Sequence, residues 1–139
     1  MKPEAEERLR RADQLLGAAK DLMALGYYAD SIGRSYYAMF HAATAVLLDM
    51  GIQRGSHHGL WSAFGQFVAS PGLIEARHHR AGTRLFAARS RSEYLATPTD
   101  TREDAERDLG TARDFVAACR RFLGTQTGDT GAHESKSAN

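Results

Sequence analysis

An all-α fold, an antiparallel up-and-down bundle of four to five helices, is what this sequence predicts. Three observations carry that expectation. Apolar residues recur at alternating steps of three and four through most of the chain, the repeat of a helix with one buried face. No stretch alternates apolar and polar residues as a half-buried strand does. Glycines, prolines and capping residues fall where the helical repeat stops, and the short connections they form make consecutive helices antiparallel neighbours.

The first helix is expected from about Glu4 to Leu25. Pro3 suits its start, and Glu4, Glu6 and Glu7 complement the positive end of its dipole. Leu9, Ala12, Leu16, Ala19 and Met23 make its stripe, with Leu15 and Leu22 alongside, and Gly26 ends it. The second helix, Tyr28 to Met50, organises the rest. Ile32, Tyr36, Met39, Ala43, Val46 and Met50 form its seam, and Phe40 and Leu47 widen it. Gly51 and Gly55 turn the chain, and Ser56 is placed to cap a shorter third helix holding Leu60, Trp61, Phe64, Phe67 and Val68. Ser70-Pro-Gly72 breaks it. A fourth helix follows from about Leu73 to Ser92, with Ile74, His78, Ala81, Leu85 and Ala88 on its stripe. Asp100 or Thr101 then caps the last helix, with Glu103 or Asp104 completing a capping box. Its seam is Ala105, Leu109, Ala112, Val116, Cys119 and Leu123.

Beyond Gly124 the residues turn small and polar without an apolar period. Residues 1–124 are therefore expected to form one domain, and 125–139 a disordered tail. Hydrophobic residues make up 42% of the 139 and charged ones 25%, ordinary for a globular protein. No apolar run approaches the roughly eighteen residues of a membrane span, so no membrane partner is expected. The charged N-terminus is unlike a secretory signal, and the single cysteine, Cys119, excludes an internal disulfide. Both point to the cytoplasm. Cys119 reads as a core residue rather than a nucleophile. Net charge is only +1, yet fifteen of the basic residues are arginines and three are lysines. Arginine favours bidentate phosphate contacts, although arginine-rich coding would produce the same count.

Several polar groups are candidates for chemistry. On the second helix Asp30, Arg34, Tyr37 and His41 fall within roughly 60° of one another at about 100° per residue. They make a binding strip, or a solvated flank with an ordinary Asp30–Arg34 pair. Arg77, Arg80, Arg84 and Arg91 share one face of the fourth helix, a basic ridge suited to phosphate. Arg89 stands apart, beside the apolar stripe, with Glu93 one turn on and Tyr94 next. His57 and His58 begin the third helix. Metal ligation is not expected: there is no His-Glu-x-x-His, no cysteine pair and no paired Glu-x-x-His. No cofactor is implied. Metal-free RNA cleavage needs a cation for the phosphorane-like charge, a proton acceptor for the 2′-hydroxyl and a donor for the leaving oxygen. Arg89 with Tyr94, Glu93, His57 or His58 could supply these, although capping and an i, i+4 ion pair account for the same residues by spacing alone.

The run Arg34-Ser-Tyr-Tyr-Ala-Met-Phe-His41, then Gly51, then Ser56-His-His-Gly-Leu60, then Leu85-Phe-Ala-Ala-Arg89-Ser-Arg-Ser-Glu93-Tyr94 resembles the HEPN family (higher eukaryotes and prokaryotes nucleotide-binding domain). The likeness is to its small single-domain prokaryotic group, whose signature ends in Arg, three residues, Asp or Glu, then Tyr. It extends from about Leu15 to Leu123. The resemblance implies a helical bundle that forms a homodimer with its site in a cleft at the dimer interface. It also implies a toxin-type, metal-independent ribonuclease neutralised by a minimal nucleotidyltransferase antitoxin. In catalytic members a histidine follows the late arginine by four to six residues; here Glu93 and Tyr94 stand there instead. Either Tyr94 or a histidine from elsewhere then moves the proton, or the domain only binds RNA, nucleotide or a partner. The small residues Gly33, Ala42, Ala43 and Ala45, with the wide apolar face around them, independently suggest a two-fold dimer.

Overall fold

The computed structural model describes residues 1–138, with side chains for all of these except Glu93 and 126–138. Five α-helices run in the order α1 (Pro3–Ala24), α2 (Tyr28–Asp49), α3 (His57–Phe64), α4 (Ala76–Glu93) and α5 (Arg102–Ala138), and a π-helical turn, Gly65–Ala69, prolongs α3. Among the described residues there is no strand. The all-α bundle is the observed fold.

α2 is its axis, packing against α1, α3, α4 and α5 alike. Gly26, at φ +88°, closes α1 and reverses the chain, with Tyr27 N–H reaching back to the Leu22 carbonyl at 2.9 Å. The two helices are consequently antiparallel, and their far ends are tied. The Lys2 backbone N–H donates to Asp49 Oδ1 at 2.7 Å and Lys2 Nζ to the Leu48 carbonyl at 3.2 Å. Ser56 caps α3 as expected, its Oγ accepting from Gly59 N–H at 2.9 Å. At the start of α5 the open choice resolves to Thr101 and Asp104. Thr101 Oγ1 accepts from Asp104 N–H at 3.2 Å, and Asp104 Oδ2 accepts from Thr101 N–H at 2.9 Å.

The seam of α5 is buried throughout, Cys119 included, and burial pushes that thiol well above its ordinary range, which suits a core residue. On α1 the buried leucines are Leu9 and Leu15, not Leu16. α2 is buried on more than its seam. Ser31, Ser35, Ala38, Ala42 and Ala45 are covered as well, and Ser31 Oγ donates to the Ala19 carbonyl of α1 at 2.7 Å. The small residues Ala42, Ala43 and Ala45 are thus used up inside one chain, where they let neighbouring helices approach. Gly33, the fourth of the small residues, is half-buried.

The tail expected over 125–139 falls almost entirely outside the residues whose side chains are described. Among the described side chains of α5, the last buried one is Leu123. A chain ending at Gly124 should therefore melt within a few degrees of the full chain by circular dichroism. A larger drop would mean that the terminal residues pack on the bundle.

Candidate functional site

The N-terminal half of α2 and the C-terminal end of α4 enclose a cleft of about 290 Å³. Asp30, Gly33, Arg34 and Tyr37 form one wall, and Arg89 and Ser92 the other, with Pro98 of the α4–α5 connection at its edge. The Arg89 guanidinium lies over the Tyr37 ring, 4.6 Å from its centroid, and 5.6 Å from that of Tyr36. Position beside the Leu85 stripe brings Arg89 here: it is half-buried, while Arg84 and Arg91 on the other face are exposed. Stacking on the rings holds the guanidinium in one plane with its donors in place. Among the described lining residues two guanidiniums face one carboxylate, a positive balance fitted to a phosphate oxyanion.

Behind Tyr37 lies a second, buried layer. Tyr36 is fully buried, and Trp61 Nε1–H donates to its phenol oxygen at 3.0 Å. The same oxygen is 2.6 Å from His57 Nδ1. His57 is stacked against the rings of Phe40, at 4.5 Å, and Phe86, at 5.4 Å. Burial pushes the Tyr36 phenol up to about 12, so it keeps its proton at neutral pH. Periodicity assigned Tyr36 and Trp61 to the apolar core. The one signal that could have flagged them is that a buried tyrosine or tryptophan needs a partner for its polar tip.

The other candidates scatter. His41 does not line the cleft; its Nδ1 takes a hydrogen bond from Arg8 Nη1 of α1 at 3.0 Å. Burial, with Arg8 and then Arg11 beside it, pushes His41 down to about 4, so it is neutral at pH 7. His58 meets Phe86 edge-on at 5.1 Å and lines a different, larger groove of about 650 Å³ with Trp61, His79 and Arg91. Tyr94 is 89% exposed and borders a third cavity with Arg91, Asp104 and Arg107. The Glu93 side chain lies outside the described residues. The ridge is not a single free surface. Arg77 pairs with Glu75 at 3.2 Å, and Arg84 turns onto α5, where it reaches Asp108 at 3.4 Å. Arg80 and Arg91 stay exposed. Asp108, 1% exposed and also held by Arg107 at 3.1 Å, was invisible as a core residue because a carboxylate reads as surface.

No group of three His, Cys, Asp or Glu among the described residues is placed to hold a metal ion. Nor is any described helix long and apolar enough to cross a membrane.

The HEPN domain model matches residues 5–122, nearly the whole bundle. This chain belongs to the HEPN family. A Gloeobacter violaceus relative named "UPF0332 protein glr0978" is 41% identical over 124 residues, spanning 88% of this chain and 98% of that one. "Putative toxin MJ0605" of Methanocaldococcus jannaschii is 32% identical over 123 residues, 88% of this chain and 91% of its own. The crystal structure of TT1696 from Thermus thermophilus superposes with a TM-score of 0.72, covering 87% of this chain and 99% of that one. At 21% identity it supports the HEPN fold and nothing finer. Two relatives carry the word toxin in their names, the second being "Putative toxin MJ0142" of the same archaeon, 25% identical over 122 residues.

Proposed function

We propose that this HEPN protein is the toxin-type component of a toxin–antitoxin pair, a cytoplasmic homodimer that cleaves RNA without a metal ion at the Arg34–Tyr37–Arg89 cleft. Its antitoxin in this reading is a minimal nucleotidyltransferase. The observation that carries the proposal is the placement of Arg89, stacked on Tyr37 across the cleft from Arg34. A phosphodiester seated between the two guanidiniums would have its developing charge met by donors already in position. His57, His58 and Tyr94 remain the proton-transfer candidates, from the same chain or from a second copy across the cleft.

One observation favours a second reading, a HEPN module that binds RNA or nucleotide and does not cut. Besides the arginines, the titratable residues lining the described walls are Asp30 and Tyr37, and no histidine is among them. Incubating RNA with the protein, purified free of its antitoxin, in excess EDTA separates the two. Continued cleavage that the antitoxin suppresses supports the enzyme. RNA retained but uncut at every protein concentration overturns it in favour of the binding module.

A further inference from the structure

The polar strip of α2 does not end at the cleft. Asp30, Arg34, Tyr37, His41, Thr44 and Leu48 follow one another at steps of four and three, so they lie along one line of the helix. The first three line the cleft, and the last two line a second cavity of about 290 Å³ toward the C-terminal end of α2. His41 lies between. Arg8 of α1 and Arg54 of the α2–α3 connection complete this second cavity over an apolar floor of Leu47, Ile52 and Leu60. We propose that it is a second RNA-binding site, in which Arg8 and Arg54 hold a phosphate of the same strand that enters the cleft. The site rests on RNA as the ligand of the cleft, and it stands whether that RNA is cut or only bound.

Charge carries the assignment. The second cavity is lined by two guanidiniums and, among the described residues, by no carboxylate. Arg8 is half-buried, and its Nη1 donates to His41 Nδ1 at 3.0 Å. A guanidinium has no acceptor, so Nδ1 accepts with its lone pair, and the ring stays uncharged while that bond holds. Arg54 Nη1 donates to the Gln53 carbonyl at 2.7 Å, and Arg11 Nη1 to Gln14 Oε1 at 3.2 Å, again neutral acceptors. Glu4 and Glu7 stand one turn before Arg8 and Arg11, at the spacing of a helical ion pair, yet among the described residues neither pair forms. Asp49 is engaged instead by the Lys2 backbone N–H at 2.7 Å. Elsewhere in the bundle arginines do meet carboxylates: Arg107 reaches Asp104 at 3.2 Å and Arg120 reaches Asp13 at 2.8 Å. The excess charge is felt locally, since burial and then Arg8 and Arg11 lower the proton affinity of His41. A phosphate supplies the anion this corner lacks, over an apolar floor that weakens the competition from water. The placement also suits a strand already held in the cleft. Thr44 and Leu48 lie seven and eleven residues beyond Tyr37, about 10 and 16 Å along α2 at 1.5 Å per residue. A single strand of a few nucleotides covers that interval.

The test titrates two labelled RNAs against the full chain by fluorescence anisotropy. One is a dinucleotide, whose single phosphodiester fills the cleft alone, and the other a ten-nucleotide single strand. Arg8→Gln removes the charge but keeps a donor for His41, and Arg54→Ala changes an exposed residue of the connection. Each should weaken binding of the longer RNA by roughly three- to tenfold and lower its salt slope by about 0.7, one phosphate contact on a single strand. Dinucleotide affinity should change by less than about twofold. Arg113→Gln, exposed on α5 and lining neither cavity, should change neither RNA by more than about twofold. A single uncharged methylphosphonate walked along the longer RNA should weaken wild-type binding at a position away from the cleft, and should cost Arg8→Gln nothing there. Variants that bind the longer RNA as the wild type does overturn the inference and leave the cleft's RNA reading intact. An equal loss for both lengths, the mark of a diffuse field, overturns it as well. A wild type that binds neither RNA fails the RNA reading and this site with it. Should Arg8→Gln fail to fold, Arg54→Ala decides alone.

Discussion

Arg89→Ala should cut RNA cleavage, and growth inhibition on expression, by about a hundredfold or more, the cost of removing one preorganised donor from a developing oxyanion. Melting temperature should scarcely change. The stacking of its half-buried guanidinium on Tyr37 contributes about 0.5–1 kcal/mol to the fold. RNA affinity should also hold, because most of it comes from phosphates met elsewhere on the surface. The comparison variant is Arg80→Ala. Arg80 is exposed on the far face of α4, so its removal should weaken RNA binding modestly and lower the salt slope by about one charge, with cleavage of bound RNA unchanged. Arg84 would be a poor comparison, since losing it leaves the buried Asp108 short of a partner. Melting, affinity and cleavage measured side by side separate the two roles. An Arg89→Ala protein that cuts RNA as fast as the wild type would place the chemistry somewhere other than this cleft.

The features legible in the sequence are those with local causes. The seams of α2 and α5 follow from periodicity, and the caps at Ser56 and Thr101 from residues three positions apart. The distinct wheel position of Arg89 separated it from the ridge, and the structure does carry it to a different cavity from Arg91. What was not legible depends on pairings across the chain. Tyr36 meets His57 over a separation of 21 residues, and Arg8 meets His41 over 33. Neither spacing has a signature. The strip on α2 illustrates the limit: Asp30, Arg34 and Tyr37 reach the cleft, but His41, one turn on, faces an arginine of α1 instead. The π-helical turn at Gly65–Ala69 was missed for a related reason. Tertiary contacts surround it: His79 Nε2 lies 2.9 Å from the Trp61 carbonyl, and the His79 ring would be only 2.8 Å from any Cβ added at Gly65.

Gly82→Ala should destabilise the protein by about 3 kcal/mol, a melting decrease of roughly 10 °C, although helix propensity alone would favour alanine by about 1 kcal/mol. The cause is Trp61. A Cβ on Gly82 would overlap the six-membered edge of the indole, and that ring cannot retreat. It is 3% exposed, packed against Phe64 and Phe115, and tied by Nε1–H to Tyr36. Gly110 provides the control, because nothing lies within 4 Å of a Cβ there; Gly110→Ala on α5 should be neutral or stabilising by up to about 1 kcal/mol. Trp61→Phe tests the mechanism. A smaller ring opens the space that the Gly82 methyl needs, so the double variant should be more stable than the two single losses added together. Additive losses would mean that the methyl is resisted by something other than the indole. Because Trp61 also donates to Tyr36, displacing it should disturb His57 as well, and Gly82→Ala should then slow cleavage although Gly82 does not line the Arg89 cleft.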